Sequence, residues 1–462
     1  MKFRFRSLVL LAAFAFVSCR EAGGAVEDPM DREAEDVFAQ FLKFDTTNPP
    51  GNETPAAEFL RAFLAKEGIE AKLIGSDPKR QAVYARLSSG TNEKALVLLS
   101  HLDVVPAQDF GWTHPPFSGA REGGYIFGRG ALDMKSITIA ELFAIVELKR
   151  SGAKLHRDVI LLATPDEELG GMHGTGALLD QYPDLFKNVG FVLNEGGTNE
   201  TAVDHVIFWG IEVQQKNPLW LRLVSEGQGG HGASPPENGG ATRKLVHALT
   251  AIESIETPYR LDPAVGRSAA ALGRIRTDGR AAFFRKIKDP LDPEMIRRDL
   301  PEGYRALLRD TIAVTHIAAG NAVNIMPSRA IADLDIRLLP DTPPGPMIEK
   351  VQKTVGPEIK IEVLLRSEPS PESPASGELY DVLSKAMREH SPGSTVGPFV
   401  TSGTNDNRFF RRRGVVAYGF APFKVNYFDA DGVHGPDERI RSRFFADGVR
   451  LTRKIVRDFC AQ

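Results

Sequence analysis

Three apolar runs in the first half of the chain constrain its fold most, because polar, ionisable residues follow each run directly. The runs cover residues 95–100, 159–163 and 189–193. Each has the length and continuous hydrophobicity of a strand that is buried on both faces. Open α/β sheets contain such strands and bind ligands at their carboxyl ends. The sequence therefore predicts a binding crevice along one edge of a sheet.

The residues at and near the ends of these runs carry groups that can hold metal ions. They include an imidazole and several carboxylates, but no thiolate. Mixed ligands of this kind suit Zn²⁺, Mn²⁺ or Co²⁺. The candidates within residues 99–195 are His101, Asp103, Asp133, Glu167, Glu168 and Glu195.

The length and charge of the chain bound its class. A chain of 462 residues is too long for one ordinary core and suffices for two domains. Its charged fraction of 25% and hydrophobic fraction of 42% are values of globular proteins. A net charge of -3 offers no electrostatic reason to expect nucleic acid as a partner.

The pattern of elements divides the chain into an α/β body and an insertion. Helical and strand patterns alternate over residues 31–213 and again over 367–462, as in an α/β sandwich. Residues 214–366 combine alternating strands with amphipathic helices, which predicts a smaller α+β domain with one open face. Within it, residues 257–307 show no clear period and are either an elaborated lid loop or additional helices.

The N-terminus reads as a secretory signal. Lys2, Arg4 and Arg6 precede an apolar run at 8–17 that is too short to span a membrane. We assign residues 1–19 to this signal and 20–30 to a tether, and we expect export to the cell envelope. The sequence Phe-Val-Ser-Cys at 16–19 resembles a bacterial lipobox, so the product is either lipid-anchored through Cys19 or cleaved and released to the periplasm. Cys460 would then be the one remaining cysteine, which excludes a disulfide framework.

Five motifs, in this order, resemble those of the M20 dizinc peptidases, which include aminoacylases, dipeptidases and carboxypeptidases. They are Ser-His-Leu-Asp-Val-Val-Pro at 100–106, Gly-Arg-Gly-Ala-Leu-Asp-Met-Lys at 128–135, Asp-Glu-Glu-Leu-Gly at 166–170, Asn-Glu-Gly-Gly at 194–197 and Val-His-Gly-Pro-Asp-Glu at 433–438. The resemblance implies a catalytic α/β sandwich of the phosphorylase/hydrolase-like type with an inserted α+β lid, which often dimerises. The 257–307 segment and Asn-Ile-Met-Pro at 324–327 are most similar to the carboxypeptidase S and N-acyl amino acid hydrolase branch.

The resemblance implies a site for two Zn²⁺ ions, with Co²⁺ or Mn²⁺ as substitutes. In it Asp133 would bridge the ions, His101 and Glu195 would hold one, and Glu168 and His434 would hold the other. A bridging carboxylate allows two ions to lie about 3.5 to 4 Å apart and to share one water.

The resemblance also assigns three catalytic roles. Glu167 would be the general base, taking a proton from water and passing it to the leaving amine. Asp103 would accept the second ring N–H of His101 and fix its tautomer. His231, in the inserted domain, would be a lid histidine that approaches the oxyanion, often from the partner subunit.

Four further residues are expected to contact substrate. Asn324 and Arg337 resemble residues that complete the oxyanion pocket and grip a free carboxylate, which an Arg fork binds bidentately. Gly403 and Thr404 would shape the substrate site near His434.

Together these features predict metal-dependent hydrolysis of an amide bond next to a free α-carboxylate. The substrate is a small peptide or an N-acyl amino acid, and the sequence leaves open whether the enzyme is a carboxypeptidase, a dipeptidase or an acylase. A metal-binding envelope protein without catalysis is the alternative, against which the presence of Glu167 argues. A serine hydrolase is disfavoured because no Gly-x-Ser-x-Gly elbow accompanies a His and an Asp. A homodimer through the lid and a monomer whose insert covers that face both remain open.

Overall fold

The structure is a computed structural model that describes residues 28–108, 110–202, 204–237, 239–275, 280–288, 290–425 and 432–461. The predicted signal at 1–19 lies outside these residues, as does the tether up to residue 27. Within the described part of the chain, no helix combines the length and the apolar character needed to cross a membrane.

The described residues form strands of very different lengths, from short bridges to an eleven-residue strand. They are β1 (Ala71–Ile74), β2 (Ala82–Leu87), β3 (Ala95–His101), β4 (Arg121–Glu122), β5 (Tyr125–Phe127), β6 (Val159–Thr164), β7 (Val189–Asn194), β8 (Thr198–Ala202), β9 (His205–Gln215), β10 (Asn217–Glu226), β11 (Gly230–His231), β12 (Thr311–Ala319), β13 (Ile325–Met326), β14 (Arg329–Leu338), β15 (Ile359–Arg366), β16 (Thr395–Thr401), β17 (Val416–Gly419) and β18 (Arg439–Arg441).

Helices occupy the connections between these strands. They are α1 (Pro29–Phe41), α2 (Thr54–Lys66), α3 (Lys135–Arg150), α4 (Thr175–Gln181), α5 (Pro183–Phe186), α6 (Gly240–Glu253), α7 (Pro263–Leu272), α8 (Arg280–Phe284), α9 (Pro293–Asp299), α10 (Glu302–Ala306), α11 (Pro344–Val355), α12 (Glu378–His390), α13 (Asn407–Arg411) and α14 (Ser442–Cys460).

The large sheet confirms the expected α/β body. Its strands run in the order β1-β2-β6-β3-β7-β17-β9-β16, with β8 paired to β9. The three predicted strands β6, β3 and β7 are parallel neighbours, so their carboxyl ends meet at one edge. This is the arrangement that the predicted crevice requires, because it brings the residues that follow the three strands to the same edge.

Helices cover both faces of the large sheet. Along β3, Leu96 and Leu98 pack into the core beneath α1, α3 and α14, whereas Val97 and Leu99 pack on the opposite face toward α4 and α13. Successive side chains of a strand point to opposite faces, so a strand between two helical layers is apolar throughout. The sheet is therefore the middle layer of a sandwich.

The inserted domain is a second sheet in the order β12-β14-β10-β15 with α6 and α11 on one face. Leu219, Leu221 and Leu223 of β10 face these helices, and the alternate residues Trp220 and Arg222 face away from them. We call this domain the lid.

The segment at 257–307 forms helices α7 to α10. Of the two alternatives for this segment, additional helices is therefore the correct one. These helices pack on the edge of the large sheet, against Phe208 of β9 and Phe399 of β16, and not on the lid sheet. Although the segment falls within the predicted lid range of 214–366, its apolar contacts place it with the α/β body. Sequence order alone could not indicate this docking, because it depends on apolar side chains far apart in the chain.

Candidate metal and catalytic site

Two imidazoles approach the same carboxylate at the edge of the large sheet. Nε2 of His101 lies 3.1 Å from one oxygen of Asp133, and Nε2 of His434 lies 3.2 Å from the other. Glu195 Oε1 lies 3.7 Å from the first imidazole, and Glu168 Oε2 lies 3.6 Å from the second. The five predicted ligands therefore form two half-sites that share Asp133.

The chemistry of this cluster fits bound cations. Burial, followed by the negative charge of Asp133, raises the pKa of Glu195 well above its usual value and also raises the pKa of Glu168. Among the described residues, the buried Oε1 atoms of Glu167 and Glu168 have no hydrogen-bond partner. Several close carboxylates are costly to bury unless positive charge compensates them. His101 groups with Glu167 and Glu195, and also with Asp133 and Glu168, with ligand atoms within 4.8 Å of one another.

Nδ1 of His101 faces Asp103, the residue that is expected to hold this ring. Nδ1 of His101 lies 2.8 Å from the backbone oxygen of Asp103 and 3.5 Å from its carboxylate. With Nδ1–H donated to this carbonyl, Nε2 is the lone-pair nitrogen that faces the cluster. Both the backbone oxygen and the carboxylate of Asp103 therefore lie on the Nδ1 side of the ring, and the role of the carboxylate in fixing the tautomer stays a prediction.

The Asp103 carboxylate also holds the loop that carries Glu167 and Glu168. It accepts hydrogen bonds from the backbone N–H groups of both glutamates at 3.1 Å, and from Asn48 Nδ2 at 2.8 Å. A fully buried carboxylate with several N–H donors is a strong anchor. Asp103 therefore positions the predicted base through its backbone.

The loop at 166–170 has an unusual backbone, which is held from both sides. Asp166 and Gly170 have positive φ angles of 77° and 98° and flank a short 3-10 turn. Asp166 forms an ion pair with Arg80 at 3.1 Å, and the buried guanidinium of Arg408 donates to the carbonyl of Gly170. The turn keeps Glu167 and Glu168 side by side with their carboxylates directed at the two imidazoles.

Glu438 supports the loop that presents Asp133, a role that the motif at 433–438 did not reveal. Its fully buried carboxylate accepts hydrogen bonds from Arg129 Nη1 at 2.7 Å and from the backbone N–H groups of Gly130, Leu132 and Asp133 at 3.0, 2.7 and 3.1 Å. Neutralisation by Arg129 makes this buried charge tolerable. The backbone donors could not be identified without the folded loop.

His231 and Asn324 are brought together at the tip of the lid. The short strands β11 and β13 pair there, and the Asn324 carbonyl accepts a hydrogen bond from Gly232 N at 2.8 Å. Both residues are exposed. No contact between them and the ligand cluster occurs among the described residues, so their roles stay predictions.

Arg337 lies on the open face of the lid sheet and is already paired. Its guanidinium donates to both oxygens of Asp335, at 2.7 and 3.0 Å, and lies 5.9 Å from the ring centre of Trp220. Trp220 Nε1 also donates to Asp335, at 2.9 Å. The guanidinium that we expected to bind a substrate carboxylate is therefore paired with a carboxylate of the protein, and no sequence motif marks Trp220 or Asp335 as its partners.

This open face is turned toward the α/β body. Leu365 is the cross-strand partner of Trp220, and its side chain lies over Gly170, where an added Cβ would be 2.6 Å from Leu365 Cδ2. Cross-strand partners project from the same face of a sheet. Trp220 and Arg337 therefore line the space between the lid and the loop that carries Glu167.

The loop with Gly403 and Thr404 is tied to the ligand cluster through its neighbours. Thr404 Oγ1 accepts hydrogen bonds from Gln215 and Arg408 at 2.8 and 2.9 Å. The adjacent Asn405 donates to the backbone oxygen of Glu195 at 3.2 Å. The predicted substrate loop thus lies beside one half-site.

Apolar side chains protrude from the loops that bear the site residues. Leu169 and Met172 follow Glu168, Val433 precedes His434, and Phe110 lies in a neighbouring loop. All four are exposed, Phe110 to 74%. Exposed apolar residues grouped near a polar cluster are typical of a surface that binds an apolar ligand.

Comparison with known proteins gives one family. The sequence model of Peptidase family M20/M25/M40 matches residues 97–458. The chain is 29% identical over 354 residues to the N-fatty-acyl-amino acid synthase/hydrolase PM20D1 of Xenopus tropicalis, covering 74% of this chain and 68% of the relative. It is 26% identical over 431 residues to aminoacylase-1 of Homo sapiens, covering 91% and 93% of the two chains. Its fold is similar to that of the M20 family metallo-carboxypeptidase Sso-CP2 of Sulfolobus solfataricus, with a TM-score of 0.72, 20% identity and coverage of 92% and 98%.

Proposed function

This chain belongs to Peptidase family M20/M25/M40, and from that premise we propose that it hydrolyses N-acyl amino acids that carry an apolar acyl group and a free α-carboxylate. The observation that supports this most is the cluster of two imidazoles around Asp133, with Glu167 buried beside it. Membership makes the chain a hydrolase of the peptide or acyl-amino acid type. The substrate and the mechanism below are our proposals.

The M20 family is a dinuclear metal-binding peptidase family, and the donor set of this chain fits two divalent ions. We propose Zn²⁺, with Co²⁺ or Mn²⁺ as substitutes, because imidazole and carboxylate without thiolate suit these ions. His101 and Glu195 would hold one ion, Glu168 and His434 the other, and Asp133 both. When bound, the pair would lower the pKa of a shared water and polarise the substrate carbonyl.

Glu167 is the proposed general base and acid. Its Oε2 lies 4.0 Å from His101 Nε2, and its buried Oε1 has no protein donor among the described residues, so this oxygen can accept a proton from water. The anchor from Asp103 holds its backbone while the side chain takes the proton and then delivers it to the amine. No other carboxylate in the cluster is proposed to move a proton.

His231 and Asn324 are proposed to stabilise the oxyanion when the lid tip reaches the site. Their pairing at the lid tip supports this, since a single movement of the lid would bring both donors together. Arg337 is proposed to bind the substrate carboxylate while Asp335 fixes its orientation. Gly403 and Thr404 would border the amino acid side of the substrate.

The apolar rim favours an acyl substrate over a charged peptide. Leu169 and Val433 are adjacent to the proposed ligands Glu168 and His434, and Met172 lies four residues after Glu168. An acyl chain that extends from the scissile carbonyl would meet these side chains. Burial of each methylene of such a chain contributes about 0.8 kcal/mol. A dipeptidase or carboxypeptidase remains the second candidate, supported by the similarity in fold to a metallo-carboxypeptidase.

The decisive experiment measures turnover by the zinc-loaded protein on matched substrates. N-acyl amino acids of increasing chain length are compared with dipeptides, and each compound is tested with its carboxylate free and amidated. We expect kcat/KM to rise with acyl length and to require the free carboxylate. Preference for dipeptides would support the second candidate, and absence of turnover with metal bound would favour the binding-protein alternative.

We further propose that the chain is exported and either lipid-anchored or released, as its first residues indicate. A homodimer through the lid is also proposed, because β12 forms an edge of the lid sheet and exposes Val314 and Ile317. Mass spectrometry of the mature N-terminus tests lipidation of Cys19. Light scattering tests the dimer, and a monomeric mass at working concentration would overturn it.

A further inference from the structure

A second pocket lies at the edge of the large sheet, where β9 and β16 begin. Its volume is about 290 Å³, and four basic side chains line it: His205, Arg274, His390 and Lys424. Among the described residues that line it, none is a carboxylate. The pocket is separated from Gly403 and Thr404 by the length of β16, about 20 Å for seven residues. It is therefore not part of the catalytic cleft.

The cations in this pocket are only partly compensated. Among the described residues, the one hydrogen bond from the Arg274 guanidinium goes to the Val396 carbonyl at a long 3.4 Å. The guanidinium lies close to β16, where a Cβ on Gly397 would be 3.2 Å from its Nη2. Lys424 Nζ lies 3.7 Å from Asp447, which is outside the pocket lining.

His390 adds an unused polar atom. Its Nε2 is buried and has no hydrogen-bond partner among the described residues. Burial, followed by the positive charge of Lys424, lowers the pKa of His390. This lowered pKa is consistent with the positive charge that Lys424 contributes beside the pocket.

The end of helix α12 does not account for this charge. The helix ends at His390, and its carboxyl end carries about half a negative charge. Such a dipole offsets less than one cation, whereas the pocket brings together two permanent cations and two imidazoles. An anion from solution is the compensating group that these side chains could share.

We propose that this pocket binds a small oxyanion of the phosphate class, either free phosphate or a phosphate monoester. A guanidinium binds two phosphate oxygens at once, an ammonium supplies a compact charge, and imidazole supplies a further donor. Ser391 and Thr395 place hydroxyl groups in the same lining. The volume exceeds that of a bare phosphate, so a small substituent would fit. This site is independent of the proposed amide hydrolysis.

The test measures phosphate binding to the metal-loaded full chain by calorimetry, with sodium chloride at equal ionic strength as the reference. Inorganic phosphate and methyl phosphate are titrated separately. Binding of either compound supports the proposal, and the compound that binds more tightly shows whether the ligand is free phosphate or a phosphate monoester. We expect the double variant Arg274→Gln and Lys424→Gln to bind phosphate at least about tenfold more weakly than wild type, because it loses two charge-assisted contacts.

A matched pair of charge changes provides the control. Lys72→Gln with Lys187→Gln removes the same charge from exposed positions, and Lys72 lies on β1 at the opposite edge of the large sheet. This control should bind phosphate as wild type does. Thermal unfolding in chloride verifies that each variant is folded. If the double variant does not fold, His205→Gln, at an exposed position, replaces it as the pocket variant. The proposal is overturned if wild type and the folded pocket variants bind phosphate with equal affinity. That is the result expected if phosphate binds at the proposed metal site.

Discussion

The carboxylate of Glu438 accepts a hydrogen bond from the backbone N–H of Asp133 at 3.1 Å. The proposed bridging residue is therefore held in position by a residue 305 positions away in the sequence. Three further donors share this carboxylate, so the loop before Asp133 is fixed on its inner side. The geometry of the ligand cluster therefore depends on the hydrogen bonds that Glu438 accepts.

Replacing Glu438 should weaken metal binding. In Glu438→Gln, an amide NH₂ would face backbone donors, and Arg129 would lose its counter-charge. We expect the zinc affinity to fall about 10- to 100-fold, the usual cost of losing a group that orients a metal ligand. Zinc content after dialysis against a chelator measures this, with the exposed Glu93→Gln as control. Unchanged retention in a folded variant would contradict the support role.

Glu167→Gln should separate metal binding from turnover. The amide keeps the size of the side chain but cannot take a proton, so kcat should fall at least about 10²- to 10⁴-fold. The zinc content should remain that of wild type, because the proposed ligands are intact. Substantial turnover in the variant would remove Glu167 from the role of base.

Asp103→Asn should act on the base loop and spare the His101 tautomer. The amide offers one acceptor oxygen to three donors, so the free energy of unfolding should fall by about 1–3 kcal/mol. We expect kcat to fall more than metal affinity, because the backbone carbonyl that bonds His101 Nδ1 is retained. Loss of zinc with normal kcat in the remaining holoenzyme would instead support the side-chain role expected from the sequence.

Gly170→Ala should expose the coupling between the lid and the base loop. The φ of 98° is strained for alanine, at a cost of about 1–3 kcal/mol, and the new methyl group would collide with Leu365. The added variant Leu365→Ala removes the collision and leaves the backbone strain. A double-mutant cycle of unfolding free energies should give a coupling of about 0.5–3 kcal/mol. Strict additivity would show that the lid does not press on this loop.

Lys216 should give the stability of the protein a particular pH dependence. Burial lowers the pKa of this lysine to about 7, although its ammonium donates to the carbonyls of Ala306 and Arg309. Between pH 7 and its unfolded pKa of about 10.4, the unfolded chain binds a proton that the native chain does not, so stability rises with pH. In the metal-loaded Lys216→Met variant, the slope should be smaller by about 1.4 kcal/mol per pH unit. The exposed Lys72→Met is the control, and an unchanged slope in Lys216→Met would contradict the prediction.

Much of the fold and cluster could be predicted from sequence, because both depend on local patterns. Continuous apolar runs followed by polar residues predicted β3, β6 and β7, which are parallel neighbours. The resemblance of the motifs then predicted a common site for His101, Asp133 and His434, and in the structure the two imidazoles lie 3.1 and 3.2 Å from the Asp133 carboxylate.

Relationships between distant side chains and backbone groups could not be predicted this way. The sequence suggested that the Asp103 carboxylate holds His101, but it did not reveal that the backbone N–H groups of Glu167 and Glu168 donate to that carboxylate at 3.1 Å. The resemblance implied that Arg337 grips a substrate carboxylate, but it did not reveal Asp335, which strand geometry places on the same face two residues earlier, within reach of the guanidinium. A buried polar group forms hydrogen bonds with the donors and acceptors that the fold places within reach.

The sequence by itself therefore determined the layers of the sheet and the chemical types gathered at its edge, since hydrophobic period and motif order are properties of the chain. Only the tertiary structure decided which group each carboxylate holds, where the helices of 257–307 dock, and that basic residues from four separate segments share one pocket. The physical reason is that hydrogen bonds and charge interactions act over a few ångströms, and folding brings residues hundreds of positions apart within that distance.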